Sequence, residues 1–166
     1  MYRVVTDFLE DWKYESEATL KVFNNITDNF LNKVIVQDGR SIKDIAWHIT
    51  ITIGEMLSKT GMIIENFHED AAAPDKISLI ISEYERLSKK AEEFINANWK
   101  DENLLEEVNM YGEMWKKGKI LVVLINHQSH HRAQLTVLMR QAGLKVPGVY
   151  GPSKEEWEQY GMPPQK

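Results

Sequence analysis

Ile120-Leu121-Val122-Val123-Leu124-Ile125-Asn126-His127-Gln128-Ser129-His130-His131-Arg132-Ala133-Gln134-Leu135 begins as an unbroken apolar run and then carries three histidines. His127 and His131 are four residues apart, so on a helix they stand one turn above the other with Cβ atoms about 5–6 Å apart. Extending their stripe in both directions gives Ile120, Leu124, Leu135 and Leu138, all apolar, so the pair faces a core. The pattern predicts a helix from about Lys116 to Ala142, closed by Gly143 as its C′ residue. A helix apolar all round its first turns is either central to a bundle or shares its outer face with a second subunit, and a homodimer is expected.

Three further helices are legible upstream. Val5, Phe8, Leu9, Trp12, Leu20, Phe23, Ile26, Phe30 and Leu31 recur at mostly three- and four-residue steps, which predicts a first helix over roughly Val4–Asn32. Gln37-Asp38-Gly39-Arg40 reads as a turn. Ser41 with Asp44 three residues on resembles a capping box, and starts a second helix through Ile45, His48, Ile49, Thr52 and Met56 to about Asn66. Pro74 is placed in the first turn of a third helix, whose buried stripe is Ile77, Ile80, Ile81, Tyr84, Leu87, Ala91, Phe94 and Ile95. Trp99–Trp115 breaks the helical period around Tyr111-Gly112 and predicts an ordered excursion with short extended pieces. Beyond Gly143 the chain is irregular, with Trp157 and Tyr160 as candidates to pin the tail to the body. The expectation is an all-α single domain over 1–166: a four-helix bundle with a long crossover between its third and fourth helices and an irregular C-terminal tail.

The chain has 166 residues, a formal net charge of -5 and no cysteine. The acidic balance argues against a nucleic-acid partner, which would demand a basic face. Without cysteine there is no disulfide, any metal must take nitrogen or oxygen ligands, and any thiol chemistry must use a thiol brought by a substrate. Asp7 and Glu10 interrupt the N-terminus before an apolar signal segment develops, and Ile120–Ile125 is far shorter than the ~20 residues a bilayer span needs. A cytoplasmic protein without membrane partners is expected.

Two neutral imidazoles in an apolar interior are costly unless their ring nitrogens find partners. Core polar groups can supply those partners, and so can a metal with a third ligand. His48 is the candidate third ligand, because it lies on the buried stripe Ile45-His48-Ile49-Thr52. His130 points a third of a turn away from the pair and reads as an interface residue or a group behind the ligands, and His68 as a solvated loop residue.

His127-Gln128-Ser129-His130-His131-Arg132-Ala133-Gln134-Leu135 and Arg140-Gln141-Ala142-Gly143-Leu144 resemble the last helix of the DinB/YfiT-like superfamily. Ser41-Ile42-Lys43-Asp44-Ile45-Ala46-Trp47-His48-Ile49 resembles its second-helix metal motif, and Pro147-Gly148-Val149-Tyr150-Gly151-Pro152-Ser153 its ending. The resemblance implies a bundle, often dimeric, in which His48, His127 and His131 bind one divalent transition metal. All-nitrogen ligation suits zinc, nickel, cobalt or iron(II). Three histidines leave coordination positions open, the pattern of catalytic and not of structural sites. Characterised members of the superfamily include transferases using low-molecular-weight thiols such as bacillithiol or mycothiol, so the resemblance implies a metal-dependent S-transferase acting on a thiol and an electrophile. The alternatives are a hydrolase acting through metal-bound hydroxide and a non-catalytic, stress-related metal or small-ligand binding protein. Many relatives carry Glu where this chain has Gln128, and a glutamine cannot take a proton. Asp44, one turn before His48, is then the candidate to orient that imidazole or act on bound water, though a carboxylate favoured by the helix start explains it as well. Glu55 and Glu113 are weaker candidates. Arg132 reads either as a binder of a substrate carboxylate or as a surface ion pair.

Overall fold

The computed structural model describes residues 1–164. Its elements are α1 (Val5–Phe23), α2 (Ile42–Ser58), α3 (Ile77–Asn98), β1 (Glu107–Met110), β2 (Glu113–Lys116) and α4 (Lys117–Gln141), with short 3-10 turns at Asp28–Phe30, Asp101–Leu105 and Trp157–Tyr160. Round the bundle the order is α1, α3, α2, α4: α2 packs on α3 and α4, and α1 on the same two. The long α3–α4 connection therefore crosses the diagonal, as expected, and so does the α1–α2 connection. Phe8, Trp12, Phe23, Ile49, Ile53, Leu57, Tyr84, Leu87, Ile120 and Leu124 fill the shared interior. Burying each large apolar side chain contributes about 1.5–3 kcal/mol. No helix among the described residues is long and apolar enough to cross a membrane.

The helix ends follow from identifiable polar contacts. Ser41 and Asp44 form a reciprocal capping box at the start of α2. The starts of α1 and α3 have no local side-chain cap and borrow remote carboxylates: Val5 N donates to Asp101 Oδ1 at 2.8 Å, and Ile77 N to Asp28 Oδ1 at 2.8 Å. At the end of α4, Leu144 N donates to the Met139 carbonyl and Gly143 N to that of Arg140, with Gly143 at φ 78°. This is a Schellman closure on the predicted glycine.

Two helices are shorter than their apolar period suggests. The first stops at Phe23, where Asn25 Nδ2 donates back to the Lys21 carbonyl. The second stops at Ser58, closed by Gly61 at φ 102° with Met62 N on the Leu57 carbonyl. Ile26 and Leu31 keep the spacing because the irregular segment after α1 still buries them. The third helix starts at Ile77, leaving Pro74 outside its first turn. The excursion before α4 contains the β1–β2 hairpin, with Met110 paired to Glu113 across Tyr111 and Gly112. Both turn residues have positive φ, 56° and 90°, as a two-residue type I′ turn requires.

Within the apolar run, Ile120, Leu121 and Leu124 are fully buried by the chain's own helices, while Val122, Val123 and Ile125 are half-buried. Of the two aromatics expected to hold the tail, Trp157 is half-buried and Tyr160 is 62% exposed. Tyr150 also ties the tail to the body, through a buried ion pair. Arg132, only 2% exposed, donates to Glu15 Oε2 at 2.5 Å, to Thr19 Oγ1 at 3.1 Å and to the Tyr150 hydroxyl at 2.6 Å. Tyr150 in turn donates to Glu15 Oε1 at 2.7 Å. Arg132 is thus neither a surface ion pair nor available to a substrate carboxylate, because its guanidinium is spent joining α4, α1 and the tail.

Candidate metal centre

The neighbouring α2 and α4 bring His48 to the pair on α4. His127 Nε2 lies 3.0 Å from His48 Nε2, and the ring centroids of the three histidines are 4.3–4.8 Å apart. One donor nitrogen from each lies within 4.8 Å of the others, a cluster with the right shape to hold a metal ion. His48 and His127 are half-buried, and His131 is 9% exposed.

The electrostatics favour the ligand form of each ring. Burial, then the neighbouring imidazoles, pushes His127 down to about 3 and His48 to about 4, and burial lowers His131 as well. All three are therefore neutral at pH 7, the state that coordinates a cation. His131 Nδ1 is hydrogen-bonded to Gln134 Oε1 at 2.8 Å, which leaves its Nε2 as the free lone pair. His127 Nδ1 is buried and has no hydrogen-bond partner among the described residues. Convergent neutral nitrogens, two of them at 3.0 Å, together with an orphaned ring nitrogen, fit a bound cation better than a self-satisfied core.

The other candidates divide. Asp44 Oδ2 accepts from the Ser41 N–H at 2.9 Å and hydroxyl at 2.6 Å, which holds its carboxyl below the usual range, so Asp44 serves the helix start and makes no hydrogen bond to His48. Gln128 is fully buried: it donates to the Ile49 carbonyl at 2.9 Å and accepts from the Tyr84 hydroxyl at 3.1 Å, tying α4 to α2 and α3. His130 is exposed beside Gln134 Nε2, and His68 is exposed in its loop. Glu113 is exposed and accepts from Trp115 Nε1 at 2.9 Å.

Two clefts flank the histidines. The polar one, about 430 Å³, contains His48, Thr52, Glu55, Lys59, Glu69 and Tyr111. Glu55 Oε1 accepts from the Tyr111 hydroxyl at 2.8 Å and lies 3.9 Å from Lys59 Nζ. The apolar cleft, about 450 Å³, contains Arg40, Ile45 and Val137 together with Gln134, the partner of His131. Sequence reasoning did not single out Gln134, Arg40 or Tyr111. Of these, only Gln134 carried a signal, three residues after a ligand on the same helix.

The sequence pattern of the DinB family matches residues 1–165. This chain belongs to the DinB family. The DinB chain is 39% identical to the protein YrdA of Bacillus subtilis strain 168, over 98% of this chain and 97% of the relative. Among solved structures, a DinB-like protein of Bacillus cereus ATCC 10987 superposes with a TM-score of 0.85 at 37% identity, covering 90% of this chain and 100% of the other. A second DinB-like protein, YjoA of Bacillus subtilis, shares the fold at a TM-score of 0.68 and 16% identity, covering 86% of this chain and 97% of the other.

Proposed function

We propose that this DinB protein is a divalent-metal-dependent S-transferase that joins a low-molecular-weight thiol, such as bacillithiol, to an electrophile. The observation that carries this reading is the histidine cluster with His48 lining a polar cleft and Gln134, the partner of His131, lining an apolar one, two clefts of opposite character such as a two-substrate reaction needs. His48, His127 and His131 would hold the ion. When bound it would supply a Lewis acid that lowers the pKa of a thiol and makes a nucleophile at neutral pH. In such a transfer the sulfur bonds to the electrophilic carbon, the leaving group departs with its electron pair, and the thiol proton passes to water.

The chain's own residues fit the two partners. The polar cleft offers Lys59, Glu69, Asp70 and the Tyr111 hydroxyl to the amide, amine and carboxylate groups of a peptide-like thiol. Gln134 orients His131, and the absence of cysteine keeps the protein from reacting with the electrophile itself. A hydrolase would need a free carboxylate as base. Asp44 is committed to its helix cap and Glu55 is held by Tyr111 and Lys59, which leaves Glu69 and Asp70 of the polar cleft for that role, and this reading stands second. The test is turnover of tag-free, metal-loaded protein with bacillithiol and 1-chloro-2,4-dinitrobenzene. Conjugation above the uncatalysed rate, lost in His127→Ala, is expected. Metal-loaded protein that never accelerates conjugation ends the transferase reading.

A further inference from the structure

The apolar cleft contains one cation, Arg40, that makes no ion pair among the described residues. Its walls are Ile35, Val36, Ile45 and Val137, with Gln134 and Arg40 at the edge. Val137 is 52% exposed, and Ile35 and Val36 are exposed as well, so an apolar surface faces outward around a guanidinium. Among the described residues Arg40 takes part in no ion pair and no side-chain hydrogen bond. Asp44 is the nearby carboxylate that feels its charge, but Asp44 is already occupied by Ser41. Arg40 also acts on all three histidines, which places its charge within electrostatic reach of the metal centre. A planar guanidinium with free donors is suited to bidentate grip of a carboxylate or similar anion. The volume lies within the range of small-molecule sites, and apolar walls with one charged group are their usual make-up.

We propose that this cleft binds a small molecule with an anionic group and an apolar body, the anion held by Arg40 and the body lying along Val36, Ile45 and Val137. The assignment rests on the transferase reading in one respect only: it names the chemical class of the second substrate, the electrophile. The binding itself needs no metal.

Octanoate and its uncharged analogue octan-1-ol serve as probes, titrated into full-length protein both metal-loaded and chelator-stripped. Binding is followed by backbone amide shifts at Ile45, Gln134 and Val137. Octanoate is expected to bind about tenfold or more tightly than octanol in both states, the gain of a charge-assisted hydrogen bond. Arg40→Gln should abolish that preference and Arg40→Lys should keep part of it, with thermal melting unchanged because the side chain is exposed. The assignment is overturned by no saturable octanoate binding, equal affinity for the two probes, a preference that survives Arg40→Gln, or a preference confined to metal-loaded protein, which would put the carboxylate on the ion. Shifts at Val137 that depend on protein concentration and not on octanoate would mean that a second copy of the chain covers the cleft, and would overturn it too. Loss of thiol conjugation with Arg40-dependent octanoate binding intact removes the transferase reading and leaves the cleft assignment standing.

Discussion

Gln134 is the residue on which the quality of the metal centre depends without being a ligand. Its carbonyl fixes the Nδ1–H of His131, and with it the ring orientation and tautomer. Removing such a partner costs about 10–100-fold in metal affinity. Gln134→Ala is therefore expected to weaken zinc binding by that order in a competition titration with a chromophoric chelator, while melting of the stripped protein stays unchanged. The histidines themselves give a pH dependence of known sign. Each has a lowered pKa in the fold, so below about 6.5 the unfolded chain takes up protons that the folded chain refuses. Stability of the stripped protein is expected to decline as pH falls from about 6.5 until the folded values near 4 and 3 are passed, and to be insensitive to these groups above 6.5. Urea titrations across that range check this; stability that rises on acidification would contradict the burial of neutral rings. At this scale the histidine cluster was legible: the pair on α4 from its four-residue spacing and apolar stripe, and His48 from its own buried stripe, with the resemblance grouping the three as one candidate ligand set. Arg40 and Tyr111 were not, because each reaches its cleft from a loop whose path no periodicity records.

Among the elements, α4 shows what a helical pattern does and does not reveal. Its length and its closure on Gly143 follow from sequence, yet Arg132, beside a ligand, looks like a surface or substrate-binding cation until the partners are known. Those partners come from α1, more than a hundred residues earlier, and from Tyr150 in the tail. Truncating one partner of a buried ion pair leaves the other charge desolvated, at a cost of about 3–5 kcal/mol. Arg132→Met is expected to lose that much in urea unfolding; a change within the scatter of surface substitutions would show that Glu15 is not relying on it. The overlong first and second helices have a common cause. Period reports burial, and the segments after Phe23 and Ser58 go on burying Ile26, Leu31 and Met62 without continuing the α-helical hydrogen-bond ladder. Gly61 was the readable stop signal, whereas the Asn25 side chain turning back to Lys21 is only one of several options open to an asparagine.

For the whole molecule, the ring order α1, α3, α2, α4 is what makes a site out of three separate residues, because it sets α2 against α4. Helix count and the long third connection could be read from sequence. Which helices are neighbours could not, since amphipathic stripes do not name their partners; the family resemblance supplied that link. Gln128 illustrates the point: it looks like a lost catalytic group in the string and is a tie between α4, α2 and Tyr84 of α3 in the fold. The apolar core draws on all four helices and includes none of the three histidines. The central claim is that this arrangement exists to hold a cation. Elemental analysis of tag-free protein tests it most directly, comparing the natural chain with His48→Ala and His127→Ala purified alongside. One divalent ion per chain in the natural protein and none in either variant, with helical content retained, is the predicted result. Metal content unchanged in the two variants, or absent from the natural protein even after equilibration with zinc or nickel, would contradict it.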